Sequence, residues 1–294
     1  MALTLTEAAK LANDVVLQGV IETVAKESDV LNYLPFIDVL GNGLTYNREN
    51  GSPMAGWYDV GDTWVEQTPT FTQATAALKI VGGDADVDNY IRMTRGNVQD
   101  IEAAVLQLKA RAVKDEFEDK FINGDSSTNA KQFDGLAKLV MAGQTVSAGD
   151  NGATLTLAMV DQLIDTVRPG KPDLLLMSKR SRRKIKQLRA TQGNYLETAE
   201  QFGRMVTFYD GIPIAVTDWQ SDTETKGGSG AVCSSIWAVR FGEGFCAGLT
   251  NGGITLERIG ILETKDATRT RIKWYCGLAL FSTLALAKLE GVKD

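Results

Sequence analysis

Eleven consecutive residues hold seven cations: Lys179, Arg180, Arg182, Arg183, Lys184, Lys186 and Arg189. That density is enough to neutralise several phosphates of a nucleic acid without reading its bases. Ser178 ahead of the run is a helix cap, and Ile185 and Leu188 supply a thin apolar stripe. The same residues therefore also fit a solvated helix face, or a contact with an acidic surface of another subunit such as 115–119. No aromatic residue interleaves with the cations and the chain carries a net charge of -6, which argues against sequence-specific recognition. Both readings stay open at this point.

Two acidic patterns suggest metal chemistry. A calcium loop opening at Asp125 in FINGDSSTNAKQFDGL would need glycine at its sixth position and glutamate at its twelfth, where Ala130 and Leu136 stand. Asp84, Asp86 and Asp88 alternate in the same spirit, but Asn89 and Arg95 occupy the two decisive positions, so the solvent face of a short strand is the better reading. The chain has no histidine, which removes Ser-His-Asp and Cys-His catalysis and His-based zinc sites. Cys233, Cys246 and Cys276 form no CxxC pair and sit in apolar or glycine-rich sequence, as small buried thiols do. Gly227-Gly228-Ser229-Gly230 lacks the ending of a P-loop, and Gly242-Glu243-Gly244-Phe245 is not a dinucleotide fingerprint. No catalytic, cofactor-binding or metal-ligating set emerges, and a non-enzymatic protein with no cofactor is expected.

Elements must now be found to carry these residues. With 294 residues the chain is near the upper size of a single core, so one lobed body or two closely joined domains is expected. Glu7, Lys10 and Asp14 break any signal-peptide core, and the apolar run 276–287 is too short for a bilayer, so no membrane partner is expected and a cytoplasmic origin is. Thr4 and Glu7 have capping-box spacing, and Ala8, Leu11, Val15, Val20 and Val24 continue at helical intervals until Leu34-Pro35-Phe36. Residues 41–82 are glycine-punctuated β-prone runs around Gly56-Trp57-Tyr58 and Thr63-Trp64-Val65, reading as a long hairpin with no core of its own. Such a hairpin is either a disordered flap or an arm that lies on another subunit, and in the second case Trp57, Tyr58, Trp64 and Phe71 are the candidate anchors.

Residues 97–123 predict a strut helix about 40 Å long, capped by Asn97, with Val98, Ile101, Val105, Leu108, Ala112, Phe117 and Phe121 as its stripe and 115–119 as a solvated face. Beyond it come a helix over 155–168 capped by Thr154 or Thr156, a buried strand at 173–177 and a helix from Ser178 to about Arg189. A hairpin turns at Asp210-Gly211, a loop follows at 226–230, and strands are expected at 235–241 and 253–259 before a final run at 268–289. The fold class is α+β.

This collinear order resembles the major capsid protein of tailed bacteriophages, the Hong Kong 97-like fold shared by encapsulins. Ser28 to Phe36 is similar to the N-arm, 41–82 to the extended loop and 97–123 to the spine helix. Asn123-Gly124-Asp125 and Phe133-Asp134-Gly135-Leu136 resemble the link that leaves the spine. RMVTFYDGIPIAVTDW (204–219) resembles the axial-domain hairpin, Trp237 to Gly242 and Gly253 to Glu257 the strands after it, and Arg269 to Leu289 the return strand. The implied division is an N-terminal arm at 1–40, an extended β-hairpin loop at 41–82, a peripheral domain at 83–148, an axial domain at 149–262 and a return to the peripheral domain at 263–294.

The resemblance implies a structural subunit that assembles with itself, as pentamers and hexamers, into an icosahedral virion shell around double-stranded DNA. A portal and a decoration protein are further implied partners, and the shell would be made in a bacterial cytoplasm. Because the arm begins the chain directly, any scaffolding protein is expected to be separate. Residues 27–78 contain no lysine, so the lysine-to-asparagine cross-link of some members is not expected from this loop. The alternatives are an encapsulin-like compartment, whose characteristic N-terminal start is not found, and a non-viral α+β binding module or enzyme working as a small oligomer.

Overall fold

The computed structural model describes residues 28–51, 55–64, 66, 68, 70–95, 101–193, 195–201, 204–228 and 230–294. The helix expected near the N-terminus, Asn97 and Val98 lie outside them. In chain order the strands are β1 (Phe36–Asp38), β2 (Gly43–Gly51), β3 (Thr70–Ala77), β4 (Lys79–Asp88), β5 (Thr145–Ser147), β6 (Ala153–Thr154) and β7 (Leu174–Met177). There follow β8 (Glu197–Gln201), β9 (Arg204–Tyr209), β10 (Ile212–Val216), β11 (Glu224–Thr225), β12 (Ala231–Val239), β13 (Cys246–Ile261), β14 (Ala267–Leu280) and β15 (Leu286–Lys293). The α-helices are α1 (Asn89–Arg95), α2 (Ile101–Asn123), α3 (Leu136–Leu139), α4 (Leu157–Thr166) and α5 (Lys179–Thr191).

Strand alternation on β14 decides the first layer. Thr270, Ile272, Trp274 and Cys276 turn inward, while Arg269, Arg271 and Lys273 stay partly exposed on the other face. β14 pairs antiparallel with β13 and β4, and β1 adds in parallel to β13, giving the order β1-β13-β14-β4. α2 lies against β4 and β14. Its buried stripe is Leu106, Ala110, Val113, Phe117 and Phe121, spaced four, three, four and four apart. The expected stripe through Leu108 and Ala112 is thus corrected: both are exposed, Leu108 at 62%. Phe117 sets the phase, because it sits at the centre of an aromatic cluster with Phe36 (6.2 Å), Phe133 (5.6 Å) and Trp274 (4.7 Å between centroids).

The second layer is a nine-stranded sheet of order β5-β15-β12-β7-β10-β9-β8, with β6 pairing β15 and β11 pairing β12. Leu174 to Met177 are all buried, as a strand covered on both faces requires. Leu174 and Leu176, with Trp237 and Val239 of β12, join the core under α2. Leu175 and Met177, with Ile236 and Ala238, pack with Val160, Leu163 and Ile164 of α4. Thr156 caps α4 by accepting from the Met159 amide, and Ser178 caps α5 by accepting from the Ser181 amide. Asp210 and Gly211 both take positive φ (52° and 76°) at the turn between β9 and β10, as a type I′ turn demands.

Three boundaries differ from the expected ones. The final run is two strands in two sheets: β14 belongs with β13 and β4, whereas β15 pairs β12, β5 and β6. Ser282 to Ala285 turn the chain between them. The segment expected as one strand at 253–259 is the second half of the 16-residue β13, whose Thr250/Ile254 irregularity breaks its pattern at Gly252-Gly253. Finally, α1 follows β4 directly, started by Asp88 Oδ1 accepting from the Tyr90 amide at 2.8 Å.

The FINGDSSTNAKQFDGL stretch is a closed link. Gly135 N donates to Gly124 O at 2.9 Å, and a Cβ on either glycine would lie within 2.5 Å of the Lys120 carbonyl oxygen. Asp125 ties the link together, accepting from Ser127 N, Thr128 Oγ1 and Lys138 Nζ. The link returns Phe133 and Leu136 to the core beneath α2.

Candidate functional site

The hairpin arm is the first candidate surface. β2 and β3 pair in register from Gly43↔Ala77 to Glu49↔Phe71, with a bulge before Gly51↔Thr70. Residues 79–82, expected inside the arm, instead begin β4, and 55–64 form no strand. A turn closed by Asp62 N donating to Asp59 O (3.1 Å), with Gly61 at φ 95°, takes this tip out of the ladder. The root is anchored: Tyr46 packs on Phe281 at 4.7 Å, and Arg48 Nε donates to Leu280 O at 2.9 Å. Beyond the root the large apolar side chains among the described residues are bare. Trp57 and Val60 are fully exposed, Trp64 is 77% and Phe71 65% exposed, and only Tyr58 is half-covered, stacked on Trp64 at 4.3 Å.

The second candidate is α5, whose seven cations divide. Arg180 is drawn inward, donating to the carbonyl of Val232 and pairing with Asp222 at 3.5 Å. Arg189 lies over the Tyr209 ring at 4.7 Å, and Tyr209 donates to Asp161. Burial, and then Asp161, push the Tyr209 hydroxyl well above its usual range. Lys184 is half-buried on the flank. Lys179, Arg182, Arg183 and Lys186 remain on the outer face, where Lys179 meets Asp218 (2.6 Å) and Arg183 meets Asp294 (3.2 Å).

The third charged feature was legible only as alternation. Asp84 and Asp86 face Arg271 and Arg269 across β4 and β14, each in a two-point pair of 2.6 to 2.9 Å. Arg269, then Lys265, hold the Asp86 carboxyl well below the usual range, and Arg271 does the same for Asp84. On α2 the expected solvated acidic face is corrected at Glu118, which is half-buried near Ser28; burial raises its pKa. Ser28 Oγ accepts from Leu31 N at the start of the segment that enters the core at Val30, Leu31 and Leu34, beside this carboxylate. Sequence reasoning missed it because the contact joins residues ninety positions apart.

All three cysteines are buried, and burial pushes the Cys246 thiol up to about 12, so it stays protonated and inert. Among the described residues no group of three His, Cys, Asp or Glu side chains is placed to hold a metal ion, and no helix is long and apolar enough to cross a membrane.

The Phage capsid family matches the chain over residues 9–290. The chain belongs to that family. Its role is structural, as a major capsid protein that forms an icosahedral shell and resides in the virion capsid. Solved structures agree in fold. The holo-SrpI encapsulin complex from Synechococcus elongatus PCC 7942 is 20% identical, with a TM-score of 0.70 over 97% of this chain and 94% of that one. The capsid of a native GTA particle gives 14% and 0.67 over 92% and 90%, and a Mycobacterium phage Bobi chain 16% and 0.63 over 100% and 99%. No curated protein sequence matches. The mixed helix-and-sheet capsid subunit is therefore Hong Kong 97-like in fold.

Proposed function

We propose that this capsid protein builds the shell of a tailed bacteriophage or prophage, in pentamers and hexamers around double-stranded DNA, and that the hairpin arm closes it. The carrying observation is the bare tip: Trp57, Val60, Trp64 and Phe71 project apolar surface into solvent on an arm whose root is fastened to the sheet by Tyr46 and Arg48. Isolated two-stranded arms are marginal in water, so a neighbouring subunit supplies the cover. A neighbour that buries such aromatic anchors stabilises the contact by about 2 kcal/mol or more per anchor. Packaged DNA meets the shell through sequence-neutral contact with the outer cations of α5. A separate scaffolding protein, a portal and a decoration protein are the further partners, and assembly takes place in the bacterial cytoplasm. The arm, the sheets and the α5 region correspond in this proposal to the extended loop, the peripheral and axial domains, and the axial surface. No chemical step is assigned to the chain.

Deleting residues 44–75 tests the arm, because Gly43 and Ala76 lie next to each other at its root. The truncated chain is expected to stay soluble and folded and to form no closed particles by electron microscopy; normal shells would sink the intersubunit role. The likeness to an encapsulin supports a second reading, a compartment without a genome. Nuclease-protected DNA in particles recovered from an infected or induced host separates the two.

A further inference from the structure

Beside α5 lies an open groove that the assembly role does not use. Arg182, Arg183 and Lys186 form one wall, and Tyr195, Thr198 and Thr207 form the other. The cations are unequal. Arg183 is engaged by Asp294, and Lys179 at the groove's rim by Asp218, but Arg182 and Lys186 have no acidic partner among the described residues. These two stand four residues apart, on one helix face and about 6 Å apart along the axis, a spacing that successive phosphates of one extended strand can match. Opposite them Tyr195 is 82% exposed and has no ring partner among the described residues. Thr198 and Thr207 stand side by side in register on β8 and β9, with hydroxyls able to donate to a phosphate. Besides Asp218 and Asp294, the neighbouring carboxylates include Glu200, on Thr198's side of β8, and Asp29, in an adjoining groove that Arg182 also borders. Asp29 lies toward the Arg182 end, while Lys186 and Tyr195 line only the groove without Asp29.

We infer that this groove binds an unpaired nucleic-acid strand, with Arg182 and Lys186 on its phosphates and Tyr195 stacked on a base. An acidic peptide would use the cations but leave the exposed ring without a role. A duplex keeps its bases stacked inside and gives Tyr195 no face to cover, so a cationic groove with an aromatic wall favours a single strand. This inference rests on the proposal that α5 meets nucleic acid and departs from it in strand state: Arg182 and Lys186 are given to an unpaired strand, with Tyr195 as its stacking residue, and the packaged duplex is left to the remaining outer cations, Lys179 and Arg183.

The test is fluorescence anisotropy of the full chain with three probes: a labelled oligothymidylate, a duplex of equal length and a polyglutamate peptide, each over a salt series. Oligothymidylate is expected to bind tightest. Arg182→Ala with Lys186→Ala should weaken it at least tenfold and lower the salt slope by about 1.4. Tyr195→Ala should weaken oligothymidylate about tenfold and leave duplex binding unchanged, and Tyr195→Phe should restore it. Duplex binding as tight as the single strand with Tyr195→Ala silent, tighter capture of polyglutamate, or no binding of any probe would each overturn the groove. Particle formation by the same variants, scored by electron microscopy, reports on the shell separately.

Discussion

The hairpin arm and the nine-stranded sheet are made of the same kind of backbone, yet they end in opposite conditions. β2 and β3 pair almost residue for residue from Gly43↔Ala77 onward, a ladder as regular as that between β12 and β15. The difference lies in the side chains. Leu174 to Met177 are wholly buried because α4 covers one face and the core under α2 the other, whereas Trp57 stands entirely in solvent. A backbone hydrogen bond contributes only about 1 kcal/mol net, so pairing alone cannot hold an arm that projects beyond its root. Burial decides which element is self-sufficient, and in the proposed shell the arm's burial comes from another copy.

Paired substitutions sharpen that contrast. Phe117→Ala, which empties the centre of the Phe36–Phe133–Trp274 cluster, should lower unfolding free energy by about 3 to 5 kcal/mol, read as a drop in denaturant midpoint at unchanged slope. Trp57→Ala should leave the same midpoint within about 0.5 kcal/mol, as an exposed site does, while weakening subunit association roughly 30-fold per contact. If Trp57→Ala instead shifted the midpoint and left assembly intact, the arm would be folding on its own subunit.

Two smaller effects concern pH, and they run in opposite senses. The Ser127 amide, then Lys138, hold the Asp125 carboxyl down at about 2, so its contribution is complete above the unfolded value near 4 and is lost as pH falls through about 2. Asp125→Asn should flatten that acid limb. Glu118 is displaced the other way by burial: the folded chain keeps a proton that the unfolded chain has released, so stability declines as pH rises through its titration. Glu118→Gln should remove the decline and raise stability at neutral pH, measured as a denaturant midpoint at pH 5 and pH 7.

The local grammar of the chain was readable where neighbours in sequence are neighbours in space. Ser178 and Thr156 cap the expected helices, Asp210-Gly211 turns the expected hairpin, and Asp84 and Asp86 lie on a strand face. The phase of α2 was misread because apolar residues occupy two of its sides, and only Phe117 and Phe121, extrapolated backward in steps of three and four, reach the buried Val113, Ala110 and Leu106. Sheet membership was illegible for a different reason. Phe36 pairs with Gly248, and the strand after Ser282 crosses to the other sheet, and neither fact leaves a trace in local periodicity. Within the candidate surfaces, the aromatic side chains that stand exposed on the arm, Trp57, Trp64 and Phe71, were singled out from the local sequence alone. The division of the α5 cations was not, since Asp222, Asp294 and Tyr209 reach them from distant parts of the chain.

The most direct test of the central claim is negative-stain electron microscopy of the purified full-length chain, with mass measured on the same sample. Closed shells of uniform size, or pentamer- and hexamer-sized capsomers that close when a scaffolding partner is added, are the predicted result. A monodisperse monomer or dimer at every concentration and salt, with and without that partner, would contradict it.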